Sequence, residues 1–287
     1  MAALAGKAGR AGQDAAGGVV RTGRGRIRWE IALLLGVSLG RAAVNAVIQL
    51  VGELTASAPL ADQVATLNPE HSPRPYLDLA FQLYSVIFAL VPVGLALYFL
   101  LNRPNARPLS ETLGIDWGRG RSLMGRDIRW GLLLFIGIAI PGVLFYLLGR
   151  LWGITVAVQP SGLAAYWWTI PVSILEAFQN GALEEVIVVG YLYRRTQDLG
   201  WSQGGKLDYR FLFVSAVLRG SYHLYQGIGP FFGNFAMGLV FAWWFQSRFG
   251  QRRVLPLVIA HTLLDAAVFV GYQLAPEHLL RLLGVAT

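Results

Sequence analysis

Cysteine is absent from the chain. That removes a disulfide framework, a thiolate zinc site and a cysteine nucleophile, and it leaves the compartment unreadable from redox chemistry. Charge is scarce as well: 14% of the 287 residues are charged against 55% hydrophobic, too few to cover a soluble surface and suited to a protein whose solvent is lipid. The first 26 residues lack the uninterrupted apolar run of a cleaved signal peptide. No HExxH signature occurs, and no internal repeat supports an inverted-repeat transporter. The net charge of +8 sits in short clusters between apolar runs, without the continuous patch and interleaved aromatics of a nucleic-acid binder. Nucleic acid is therefore not expected as a partner.

What is present is one polytopic all-α domain, a transmembrane helical bundle over residues 27–275. It lies between a basic N-terminal tail, 1–26, expected to be disordered, and a short C-terminal tail, 276–287. About seven apolar segments can be read: 29–51, 79–101, 130–149, a fourth from the aromatics at 166–168 to about Tyr193, then 211–226, 231–245 and 254–272. In the first, Arg41, Asn45 and Gln49 recur at a spacing of four and should face the bundle. The fourth contains Pro171, Glu176 and Asn180, which leave open a broken or re-entrant helix near 163–193. The tryptophans are read as interfacial anchors. With a cytoplasmic N-terminus and strict alternation, the arginine-rich stretches (the tail, 102–129, 194–210 and 248–253) all fall on the cytoplasmic side, as the positive-inside rule requires. The Ala, Gly and Arg bias points to a bacterial cell membrane.

Within the fourth segment, Glu184 and Glu185 are adjacent carboxylates at membrane depth. Each costs about 2.5–3.5 kcal/mol there by insertion scales, and two also repel. Such a pair is a functional site by default. From a rise of about 1.5 Å per residue, Glu184, His223 and His261 fall at similar depths. His261 and Asp265 share a helical face, as do Arg219 and His223. A carboxylate beside a histidine can take a proton from water while nearby donors stabilise an oxyanion. Glu184, His223, His261 and Asp265 could equally hold a divalent metal such as zinc. Spacing does not separate metal-dependent from metal-free catalysis.

The order of these residues resembles the CAAX-protease and bacteriocin-processing family of intramembrane proteases, which includes the type II CAAX prenyl endopeptidases. The matching stretches are Glu184-Glu185-Val-Ile-Val-Val-Gly-Tyr-Leu, Arg219-Gly-Ser-Tyr-His223 and His261-Thr-Leu-Leu-Asp265 within 165–272, with a weaker echo in Leu113-Gly-Ile-Asp116. The resemblance implies an endopeptidase acting on a membrane-associated or lipid-modified peptide. By it, Glu184 and His223 activate water, while His261 and Asp265 steady the oxyanion or the substrate carbonyl. Two departures stand out. Val189 replaces the family's usual arginine five residues after the first glutamate, and Arg219 replaces its usual phenylalanine four residues before the histidine. Arg219 is therefore expected to neutralise Glu185 from the neighbouring helix, so that its loss destabilises the protein more than loss of Arg195. A non-catalytic partner-binding protein of the same fold and a proton-coupled transporter are the competing readings.

Overall fold

The structure is a computed structural model and describes residues 23–102, 106–116, 121–201 and 207–282. Residues 1–22 of the expected N-terminal tail lie outside the described residues. In lipid, backbone groups must be satisfied within the segment, and helices do this. The described chain is accordingly almost all helix: α1 (Gly23–Gly36), α2 (Leu39–Thr55), α3 (Pro75–Leu101), a single turn α4 (Leu109–Thr112), α5 (Arg121–Leu151), α6 (Thr169–Glu184), α7 (Leu192–Asp198), α8 (Tyr209–Ser221), α9 (Ile228–Gln246), α10 (Leu255–Leu274) and α11 (Glu277–Leu282). Four of these, α3, α5, α9 and α10, are long and apolar enough to cross a membrane, and α1 with α2 would make a fifth. The protein is an integral membrane helical bundle.

The helices depart from the sequence reading in three places. The first segment is not one rod, because α1 and α2 are bent by 53° at Val37–Ser38, and α1 already begins at Gly23. On α2, Leu39 and Ala46 are buried, whereas Arg41, Asn45 and Gln49 are exposed. The polar stripe therefore faces out of the bundle. The fourth segment is not broken: α6 passes without interruption through a π-helical stretch, Glu185–Tyr191, into α7, where Leu192 N–H donates to the carbonyl of Ile187 five residues back. Not every tryptophan is an anchor at a lipid boundary, since Trp168 and Trp244 are buried.

The two ends of the bundle are fastened differently. At one end, the loops after α2 and after α5 form a parallel pair, β1 (Val64–Thr66) on β2 (Ala157–Gln159). Arg150, in the last turn of α5, donates to the carbonyls of Ala61 at 2.6 Å and Thr155 at 2.9 Å and so ties the two loops together. Thr155 also bridges to Gly227. Gly227 has φ 103°, and a Cβ there would lie 2.7 Å from the Ile154 carbonyl, so glycine is required. At the other end the ties are ionic. Arg195 donates to Glu30 at 2.6 Å and to the Phe99 carbonyl at 2.9 Å, and Arg253 holds Asp116 and Asp127. Hydrogen bonds to Asp127 and Asp116 push the Arg253 guanidinium above the ordinary arginine value. Among the described residues, the arginine-rich stretches thus gather at one end and the arginine-poor loops at the other. Arg195 is buried and paired, so it is no neutral reference for Arg219.

Between these ends, the π-helical stretch forms the centre of the core, with Glu185, Ile187, Val188, Val189 and Tyr191 all at 0% exposure. Neighbouring helices come close where side chains are small. A Cβ on Gly238 of α9 would lie 2.8 Å from the Ala216 Cα of α8, and one on Gly190 would lie 2.7 Å from the Leu113 side chain.

Candidate active site

Adjacent residues of an α-helix point about 100° apart, so Glu184 and Glu185 would normally diverge. They sit at the junction where α6 widens into the π-helical stretch, the kind of local rewinding that recurs at functional sites. There both carboxylates converge on one cation. Arg219, in the last turn of α8, donates from Nη1 to Glu184 Oε2 at 3.0 Å and from Nη2 to Glu185 Oε1 at 2.6 Å. Its side chain is wholly buried, as is that of Glu185, while the Glu184 side chain keeps 10% exposure. The pairing with Glu185 anticipated from the missing arginine at 189 is present, and the guanidinium also holds Glu184. A planar fork with donors on both nitrogens is what two carboxylates on one helix demand.

His261, from α10, lies on the other side of the pair. Its Nδ1 is 2.7 Å from Glu185 Oε1 and 3.9 Å from Glu184 Oε2, and its Nε2 is 3.7 Å from Asp265 Oδ1. The ring is thus flanked by carboxylates at both nitrogens. Asp265 accepts from Asn180 Nδ2 at 2.9 Å, one helical turn before Glu184. The segment after α8 supplies the remaining groups. The Tyr222 hydroxyl donates to Glu184 Oε2 at 2.6 Å. His223 Nδ1 lies 3.0 Å from the Arg219 carbonyl; with the proton on Nδ1, that bond leaves Nε2 as the basic nitrogen. His223 is also an electrostatic neighbour of Glu184.

The structure therefore brings Glu184, Glu185, Arg219 and His261 into direct contact, with His223 and Asp265 at the margin. Tyr222 enters the site as a polar residue inside the stretch Arg219-Gly-Ser-Tyr-His223. From the sequence alone, Asn180 is a helix-breaking signal. Its position four residues before Glu184 puts it on the same face, and that spacing was the available clue.

Among the described residues, one group of potential metal ligands falls together: Glu184, Glu185 and His261, with ligand atoms within 4.8 Å of one another. It differs from the four ligands anticipated, because His223 and Asp265 are not part of it. The Arg219 guanidinium is bonded to both carboxylates and approaches His261 Nδ1 to 3.4 Å, occupying the position a cation would need. As arranged, these residues do not fit a metal ion.

Residues 166–267 match the family described as type II CAAX prenyl endopeptidase Rce1-like. No curated protein and no solved structure matches the chain. The matched stretch begins just before α6 and ends two residues after Asp265, so it contains every residue of the cluster above. Over residues 166–267 the chain is therefore similar to the Rce1-like type II CAAX prenyl endopeptidase family, and it carries helices long and apolar enough to cross a membrane.

Proposed function

We propose that the chain is an intramembrane endopeptidase that hydrolyses a peptide bond of a membrane-associated or lipid-modified substrate, using a water activated between Glu184 and His223. The observation that supports this most is the asymmetry of the acid pair. Glu185 is sealed and shared between Arg219 and His261, whereas Glu184 keeps an accessible edge, and both of its described bonds, from Arg219 and Tyr222, go to Oε2. Its Oε1 remains for water. Glu185 with Arg219 is then a structural ion pair, and Glu184 is the base.

Water donates one hydrogen bond to Glu184 Oε1 and a second to His223 Nε2, and its oxygen attacks the scissile carbonyl as Glu184 takes the proton. The carbonyl π electrons move to oxygen. The resulting oxyanion is met by His261 Nε2–H, which the protonated ring can offer while Nδ1–H stays on Glu185. Collapse breaks the C–N bond, and the proton taken from water passes to the leaving amine. Asp265, held by Asn180, lies 3.7 Å from the same Nε2 and helps hold the charged ring in place. An ionised Asp265 has no proton to donate, so it is a positioning group here.

The test is a comparison of membrane peptides from cells carrying wild-type protein or Glu184→Gln at equal expression. We expect a set of cleaved peptides to disappear in the variant, a loss of about 10²–10⁴-fold in rate. Unchanged peptides would refute catalysis and favour a partner-binding role.

A further inference from the structure

Hydrolysis at membrane depth needs water, and the catalytic end of α6 lies beneath several turns of helix. Along α6, Ser173, Glu176, Asn180 and Glu184 recur at intervals of three, four and four, and so form one face leading from the outer end of the helix to the acid pair. This face is turned inward, since Ser173 is 0% exposed and Glu176 and Glu184 are 7% exposed, whereas Ile174 and Phe178 on the opposite side are 47% and 46% exposed. A buried polar ladder in a bundle of this composition calls for a reason.

Its partners extend the ladder outward. The buried Asp78 of α3 is the electrostatic neighbour of Glu176. Asp78 Oδ1 accepts from the backbone N–H groups of His71 and Ser72, and Gln82 reaches the Pro69 carbonyl, which ties this end to the loop at the arginine-poor face. Inward, Asn180 passes to Asp265 and hence to His261. Three oxygens along the seam are buried with no partner in the protein: Ser173 Oγ, Glu176 Oε2 and Thr262 Oγ1. The last lies against Gly181, where a Cβ would approach it to 2.8 Å. Buried oxygens of this kind are normally satisfied by internal water, which makes two to four hydrogen bonds in such places.

We infer that the seam between α3, α6 and α10 is a water path that supplies the catalytic centre from the arginine-poor face. Glu176 is its middle station. The need for water rests on the hydrolytic reading, but the existence of the path does not.

The absence of cysteine permits a direct test. Single-cysteine variants Ser173→Cys and Ala177→Cys on the seam, and Ile174→Cys and Phe178→Cys on the outward face, are treated in reconstituted membranes with a charged methanethiosulfonate. Asp62→Cys in the exposed loop serves as the reference, and labelling is read by mass. The reagent attacks thiolate, which forms only where water reaches the sulfur. Both seam positions should label about tenfold or more faster than the outward pair, and adding Glu176→Leu should slow Ala177→Cys without slowing Asp62→Cys. The inference is overturned if the seam cysteines react no faster than Ile174→Cys while the loop cysteine reacts fully, or if only Ser173→Cys labels, because the path would then stop short. Melting temperatures near that of the parent exclude misfolding. Labelling requires no peptidase activity, so a wet seam in an inactive protein and a dry seam in an active one separate the two failures.

Discussion

Replacing Arg219 by methionine keeps the bulk of the side chain and removes a cation that holds two buried carboxylates, at 2.6 and 3.0 Å. One or both acids must then be neutralised or stay buried without a counter-charge. Protonating a carboxylate of ordinary strength, near 4.3, costs about 3.7 kcal/mol at pH 7 and about 1 kcal/mol at pH 5. Breaking a buried ion pair by removing one partner costs about 3–5 kcal/mol in general, so the two estimates agree. The penalty is present where the unfolded acids are ionised and fades as pH falls toward their unfolded value. We expect Arg219→Met to lose about 3–4 kcal/mol at pH 7 and about 1 kcal/mol at pH 5 in a detergent unfolding titration. The exposed Arg210→Met should stay within about 0.5 kcal/mol of wild type. The double variant Arg219→Met with Glu185→Gln should recover much of the loss, because the sealed acid no longer needs a partner. Equal stability of the Arg219 and Arg210 variants, or a penalty that does not shrink on acidification, would refute this account of the pair.

Three further outcomes follow from the same geometry. Tyr222→Phe removes a 2.6 Å hydrogen bond to Glu184 and should lower the cleavage rate by about ten- to a hundredfold, the equivalent of about 1.5–3 kcal/mol for a bond to a charged group, with little change in melting temperature. Gly238→Ala places a methyl 2.8 Å from the Ala216 Cα and forces α8 from α9; a loss of about 1–3 kcal/mol is expected in the same titration. Arg253→Ala releases Asp116 and Asp127 at the arginine-rich end and should cost about 3 kcal/mol, without abolishing cleavage by the protein that remains folded.

Much of the bundle was legible because lipid makes apolar length and charge placement informative. Each of the seven apolar segments contains a helix, but among the described residues only four helices, or five with α1 and α2 together, are long and apolar enough to cross a membrane, and the arginine clusters there collect at one end. The acid pair, His223 and His261 were legible by type and depth. Arg219 was legible through a substitution pattern, since a cation missing at 189 and gained at 219 is a charge moved between neighbouring helices. Other features were not. The 53° bend at Val37–Ser38 has no proline to announce it, and the outward turn of Arg41, Asn45 and Gln49 depends on which flank of α2 meets α8. The π-helical rewinding at Glu185 leaves no mark in composition, yet it is what aims two consecutive carboxylates at one guanidinium. Tyr222 and Asn180 are ordinary polar residues until a partner is seen. The β1–β2 pair was hidden because three-residue strands in loops carry no periodicity to read.

That pair of strands also bears on when the centre can exist at all. Thr66 and Gln159 are 93 positions apart, and Thr155, two residues before β2, in turn bridges to Gly227, four residues beyond His223. During synthesis, the first strand must wait for the second, and the second must wait for the turn that follows α8. Closing contacts over such separations is entropically late. The turn that carries His223 is therefore tied to the strands late, after the helix that bears the acid pair has been made.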